Sequence, residues 1–372
     1  MVKITDVKID VINRELPDVG LDSDLGRFSG NVSQGVLRIF TDQGVEGNCF
    51  IGEFRNGGDE LYPLILKVLK PILIGKDPSE RELIWSSLRI LSSRKRMSMP
   101  AWAPVDVALW DLSGKIAEMP IYKMLGAQRH EIEPYATYLP RYTTPEGYIE
   151  EANEIMNDGF RAYKIHPGSL NTKDTIEMVD LVRNTVGDDF QLMFDPNCGY
   201  DYFKALNIGM ALDDNGFYWY EDPVPYYEID TISELTKRLK VPICMSDQSE
   251  NQFFHAARSI RANSNRSYRG AADKLGITGL KKLCSLAEGF GLNCEIGTAG
   301  NPTLDMANLH VIFSVKNCTY FEWWQPLEAH QFGLTENIKR NSNGMIEATG
   351  KPGLGCDIDW DYINSNKIAT LE

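Results

Sequence analysis

Three acids stand at equal steps along the chain: Asp195 in MFDPN, Glu221 in YWYEDP and Asp247 in CMSDQ. Each closes a short run of β-forming residues, and one helix-like segment separates each from the next. If the runs are parallel strands, the three carboxylates leave neighbouring strand ends and converge. Carboxylates crowded together repel unless a cation lies between them. An all-oxygen set without His or Cys suits Mg²⁺. Taken singly, each acid reads as well as a helix cap or a partner for a surface Lys; three in register favour the metal. One strand earlier, YKIHPG places Lys164 and His166 two residues apart, hence on one side of a strand. Alone, the pair reads as an exposed Lys beside a half-buried His. Beside three acids it reads as a base or a substrate clamp. A metal that stabilises an enediolate while a neighbouring base takes the proton α to a carboxylate is chemistry such a set can perform.

The elements that must position these residues follow a rhythm. TTPEGYIEEANEIMNDG predicts a helix with Thr144 as cap, Pro145 in the first turn and Ile149, Ala152, Ile155 and Met156 on one face. FRAYKIH is a strand, TKDTIEMVDLVRNTVG a helix, FQLMFDPN a strand, and the pattern continues to LNCEIG. Alternation at this pitch implies parallel strands with right-handed helical crossovers. The number of units in series favours a closed barrel over an open doubly wound sheet. No GxGxxG follows a strand, which weakens a dinucleotide-binding version of the open sheet. Active sites of such barrels lie at the C-terminal strand ends, where the acids stand. The first 130 residues differ: GVLRIFTDQGVEGNCFIGEF predicts a hairpin about Asp42, Gln43 and Gly44, and LYPLILKVLKPILIG and PAWAPVDVALWDLSGKIAEM predict helices. This is a separate α+β domain over 1–130, followed by a barrel over 131–330. The Gly-rich tail, 331–372, is expected to pack back on the first domain.

Composition bounds the partners. A net charge of -14 disfavours nucleic acid and anionic membrane, which reward clustered Lys and Arg. No apolar run is long enough to span a bilayer, and the alternating N-terminus lacks the core of a signal peptide. Seven Cys without CxxC pairs argue against a disulfide framework or a zinc site and point to a reducing cytoplasm. A homo-oligomer acting on a small-molecule carboxylate is expected.

The chain resembles the enolase superfamily, in its mandelate racemase and muconate lactonizing enzyme branch. The likeness rests on VDVALWDLSGKIAEMPIYKMLG, on YKIH as a K-x-K or K-x-H strand, on the three acids, and on NLHVIFSVKNCTYFE and PGLG. It implies a modified (β/α)7β TIM-like barrel with an N-terminal α+β capping domain, whose early segment PDVGLDSDLGRFSG covers the substrate. A Lys or His base acting with Mg²⁺ is the superfamily's known pairing. The resemblance also implies that Asp195, Glu221 and Asp247 hold the metal and that Lys164 and His166 line one face of the substrate. Glu322 would contact its carboxylate, and Asn197 a metal-linked water or a substrate oxygen.

Three departures stand out. Asp247 replaces the usual Glu, with Glu250 close by but poorly in register. Gly297, in CEIGTAGNP, stands where the branch places a His. Gly270 stands at the position of that His's Asp partner, with Asp273 three residues on, an offset that in a regular strand would face away. The side opposite Lys164 and His166 is then expected to be roomy, wet and without a side-chain base. Chemistry from one face remains: a Mg²⁺-dependent dehydratase of an acid sugar, with His166 the α-proton base and Lys164 assisting. A racemase, epimerase or lactone cycloisomerase with the same half-site, and a binding or vestigial protein, are the alternatives. Tyr163, Tyr200, Trp323 and Trp324 are candidates for specificity or for core.

Overall fold

The computed structural model describes residues 2–22, 26–55, 57–95, 99–249 and 251–372. β1 (Ile4–Asp22), β2 (Gly26–Thr41) and β3 (Glu46–Ile51) form an antiparallel sheet by alternating apolar and polar residues. The turn between β2 and β3 falls at Asp42–Gly44, with Gly44 at φ 75° donating its N–H to the Thr41 carbonyl. The segment expected as a covering loop is the stem of the long β1–β2 hairpin; residues 23–25 at its tip lie outside the described residues.

Two helices, α1 (Arg81–Lys95) and α2 (Ala103–Ile116), follow the sheet. The stretch LYPLILKVLKPILIG is broken into short helical turns with a widened i→i+5 turn at Ile65–Leu69. Pro71 has no N–H to continue an α-helical ladder there.

The barrel strands are β4 (Glu131–Tyr138), β5 (Ala162–Ile165), β6 (Gln191–Phe194), β7 (Trp219–Glu221), β8 (Ile243–Met245), β9 (Ser267–Gly270), β10 (Asn293–Ile296) and β11 (Tyr320–Gln325). All pair in parallel, in the spatial order β10-β9-β8-β7-β6-β5-β4-β11. Among the described residues no ladder joins β10 to β11, so the barrel is nearly closed. Its crossovers are α3 (Pro145–Asn157), α4 (Thr172–Val186), α5 (Tyr202–Asp214), α6 (Ile229–Arg238), α7 (Gln252–Ala262), α8 (Ala272–Gly289) and α9 (Pro302–Ile312). This is a (β/α)7β barrel beside a separate antiparallel sheet domain. A short β12 (Ile346–Glu347) adds to β4. The tail holds more structure than its glycines suggest: Asp359 caps the helix Trp360–Asn366, and β13 (Lys367–Leu371) pairs with β1.

Several contacts hold the first domain over the barrel. Leu16, Val19, Val32 and Phe54 cluster with Leu139 and Trp324 from the barrel mouth. Lower down, buried Asp106 of α2 accepts hydrogen bonds from Thr278 N and Oγ1 on α8, at 2.9 and 2.7 Å. Its partner turn requires glycine, because Gly276 sits at φ 61° and an added Cβ would lie 2.4 Å from Asp106 Oδ2. Gly276→Ala is therefore expected to cost about 1–3 kcal/mol from the backbone alone, with the clash added. Chemical denaturation checks this; an unchanged midpoint would show that the α2–α8 joint carries no such constraint.

Candidate active site

The site grows out of side-chain parity. Inside the barrel, Tyr135, Ala162, Met193, Trp219, Cys244 and Tyr320 pack as one cluster. Two residues further along their strands stand Lys164, Asp195, Glu221 and Glu322, pointing the same way. These form the next layer up, together with Arg269 of β9. Lys164 Nζ donates to Asp195 Oδ2 at 3.1 Å and to both oxygens of Glu221 at 3.2 Å. It also stands 2.7 Å from Glu322 Oε1. Arg269 Nη2 donates to Glu322 Oε2 at 2.7 Å, and its Nε pairs with Glu221 Oε1 at 3.0 Å. Trp219 Nε1 donates to Glu221 Oε2 at 3.1 Å. All five charged groups are essentially buried.

The charges set one another's protonation. Burial works against the Lys164 ammonium, but Glu221 and Glu322 hold it well above its ordinary range. Burial likewise raises the Asp195 and Glu322 carboxyls. Lys164 and His166 overcome it at the first, Lys164 and Arg269 at the second, and both end well below the usual carboxylate range.

His166 follows β5 and is buried against Trp324, with ring centroids 5.6 Å apart. Its Nδ1 lies 2.7 Å from the Tyr138 carbonyl oxygen, which only accepts, so Nδ1 carries the proton. Nε2 lies 3.2 Å from Asp195 Oδ2, also an acceptor, so a protonated Nε2 donates to that carboxylate, and Nε2 is the nitrogen left to exchange a proton with substrate. Asn197, at φ 50°, donates its backbone N–H to Asp195 Oδ1 at 2.8 Å.

These groups open on a cavity of about 530 Å³. Lys164, His166, Asp195, Asn197, Asp247 and Glu322 all line it, whereas Glu221 lies beneath its floor. Of the four aromatic candidates, Trp324 lines the cavity. Tyr163, Tyr200 and Trp323 are core; the Tyr163 hydroxyl donates to Glu151.

The wall at Gly297 differs from the expectation of an open, wet face. A Cβ on Gly297 would lie 2.6 Å from Arg269 Nη2, so the guanidinium fills the space a side chain there would take. A Cβ on Gly270 would meet Leu280, Leu283 and Cys294, so position 270 faces the strand–helix layer and not the cavity. The inward residue of that pair is Arg269. Asp273 also departs from its expected direction: it sits in the first turn of α8, off the strand, and lines the cavity. Burial pushes its carboxyl up to about 6, and its Oδ1 has no hydrogen-bond partner. Beside it, Lys274 Nζ donates to the Asp247 carbonyl at 2.6 Å and stands 3.5 Å from Asp247 Oδ1.

Sequence reasoning missed Arg269, Lys274 and, from the first domain, Glu53 and Arg55, which also line the cavity and pair with each other at 2.7 Å. Arg269 carried one readable signal: a long cation two residues beyond Ser267 on a strand whose end was already assigned to the site. It also missed Asp222, whose buried carboxylate accepts from Ser246 N and Gln248 N and so shapes the turn that carries Asp247.

Residues 29–126 match the N-terminal domain model of mandelate racemase / muconate lactonizing enzyme, and residues 147–362 match the enolase C-terminal domain-like model. The chain belongs to the enolase superfamily, in its mandelate racemase and muconate lactonizing enzyme branch. It is 27% identical over 315 residues to arabinonate dehydratase of Saccharolobus solfataricus, spanning 81% of this chain and 82% of that protein. It is 26% identical over 345 residues to N-succinyl-L-Arg/Lys racemase of Bacillus cereus, spanning 88% of each. The structure of D-glucarate dehydratase from Agrobacterium tumefaciens, complexed with magnesium, matches with a TM-score of 0.87 and 28% identity over 98% of this chain and 99% of that one. Acid-sugar dehydratases, racemases and epimerases, and cycloisomerases are thus among its relatives.

The expected Mg²⁺ set of Asp195, Glu221 and Asp247 does not fit a divalent ion as folded. Among the described residues, no three His, Cys, Asp or Glu side chains are grouped so as to hold one metal ion. Glu221 has both oxygens engaged by Lys164, Arg269 and Trp219. Asp247, beyond a turn with Ser246 at φ 91°, stands at the cavity edge beside Lys274.

Proposed function

We propose that this chain removes the α-proton of a hydroxylated carboxylate, an acid sugar, at His166 Nε2 and expels the β-hydroxyl as water. The observation that carries this reading is the asymmetry of the cavity. One basic nitrogen, His166 Nε2, is aimed from one side, its tautomer set by the Tyr138 carbonyl. Lys164 is held as an ammonium by three carboxylates, which suits it to binding substrate negative charge and not to taking a proton. Lys274, the other lysine of the wall, is likewise held cationic against burial by Asp247 and Asp273. Asp273 supplies the acid: a carboxyl that burial raises to about 6, on a residue that lines the same cavity with its side chain about a third exposed, suits protonation of a leaving hydroxyl. The dehydratases among the relatives support this class. Among the chain's own groups, isomerisation by two opposed bases would need a second neutral base, and the charges around Lys274 argue against it.

The test is a panel of aldonic and aldaric acids and their lactones, followed by 2-keto acid release and by deuterium uptake from D₂O. The expected result is 2-keto acid from one or more acids, with stereospecific exchange at the α-carbon. Asp273→Asn is expected to keep exchange and lose water elimination. Washout of both α-configurations would replace this reading with racemisation, and no exchange with any acid would replace it with a binding role.

A further inference from the structure

We propose that Arg269, received in the space left by Gly297, is a fixed cation that takes the place of a divalent metal ion at Glu221, so that this site holds no tightly bound Mg²⁺. The proposed α-proton chemistry would then draw its positive charge from Arg269 and Lys164. That second clause rests on the proposed function; the first does not.

Three buried carboxylates one layer above the barrel core need positive charge among them. The chain provides two cations of its own, Lys164 and Arg269, each in contact with two or more of the acids. Arg269 reaches Glu221 with Nε and Glu322 with Nη2, and is 1% exposed. Its place depends on the glycine after the adjacent strand, since a Cβ at 297 would lie 2.6 Å from Nη2 and 3.3 Å from Cζ. The two positions are therefore matched in size: the small residue just after β10 admits the long one on β9. A divalent ion ligated by Glu221 at about 2.1 Å would sit within one side chain's reach of both cations. It would have to displace their contacts to gain its own. The acid expected as third ligand, Asp247, faces Lys274 instead. Arg269 Nη1 is buried without a hydrogen-bond partner, so the guanidinium keeps an N–H unspent on the acids.

The test titrates Mn²⁺, a paramagnetic stand-in for Mg²⁺, into the full-length chain and reads the free ion by electron paramagnetic resonance. The native chain is expected to show no saturable site at Glu221 below about 1 mM. Arg269→Gln is expected to tighten Mn²⁺ binding by about 100-fold, the scale on which one neighbouring charge acts. Gly297→Ala, which pushes the guanidinium aside without removing it, is expected to move binding the same way by less, and serves if Arg269→Gln does not fold. Micromolar, stoichiometric Mn²⁺ binding by the native chain that Glu221→Gln abolishes would overturn the proposal, as would folded variants that gain nothing. Binding that Glu221→Gln leaves unchanged lies elsewhere and supports it. The titration needs no substrate, so a failed acid-sugar screen leaves it standing, and a Mn²⁺ site at Glu221 leaves the α-proton reading standing.

Discussion

His166→Asn is expected to lower α-proton exchange by about 10²–10⁴-fold, the contribution of a positioned base. Asn is the informative replacement because its amide can still donate to the Tyr138 carbonyl, which His166 Nδ1 meets at 2.7 Å. The loss then falls on Nε2, the nitrogen facing Asp195 at 3.2 Å. Truncating the ring also removes packing against Trp324, so a stability loss of about 1 kcal/mol accompanies it. Exchange of a substrate α-proton in D₂O, measured beside a denaturation curve, separates the two effects. Exchange at the native rate in a folded His166→Asn chain would remove His166 from the mechanism and leave Lys164 as the remaining candidate on that face.

Lys164→Met is expected to cost about 3–5 kcal/mol of stability near pH 7.5, because removing one partner of a buried ion pair strands the other. Here Nζ lies within 3.2 Å of Asp195, Glu221 and Glu322, and Arg269 and His166 alone would be left to face those three carboxylates. The pH dependence has a definite sign. Asp195 and Glu322 are held below their ordinary values in the folded chain, so their pairing contributes above the unfolded carboxylate range and is lost as pH falls through the folded values. In Lys164→Met that depression is reduced, with only His166 left to hold down Asp195 and Arg269 to hold down Glu322. The gap between native and variant should thus be widest above about pH 5 and narrow toward pH 3, as stranded carboxylates take up protons. Urea midpoints at several pH values measure it. A gap that is constant across this range would mean that packing, and not charge, is what Lys164 contributes. Lys274→Met, whose partner Asp247 is a quarter exposed, should cost much less.

Local pattern reaches far in this chain. The strand–helix alternation after residue 130 needs only the periods of neighbouring residues, and β5, β6, β7, β8 and β10 fall where those periods place them, whereas β4, β9 and β11 were not placed by them. The same local rule put Lys164 and His166 on one side, and Asp195, Glu221 and Asp247 near strand ends, because parity along a strand is set residue by residue. It failed where the backbone leaves the regular pattern. Asp273 belongs to the first turn of a helix, so strand parity did not apply to it. The helix and strand of the tail follow a glycine-rich stretch, and the strand depends on β1 as a pairing partner. What only the tertiary structure decided is how charge is shared. Glu53 and Arg55 reach the cavity because the first domain sits over the barrel mouth, a contact between segments far apart in sequence. Gly297 reads in sequence as a deletion, yet its space holds a guanidinium from the adjacent strand. A missing side chain is a local fact, but the occupant of the volume it leaves is set by which long side chain in the fold can reach it and which buried charges reward its arrival.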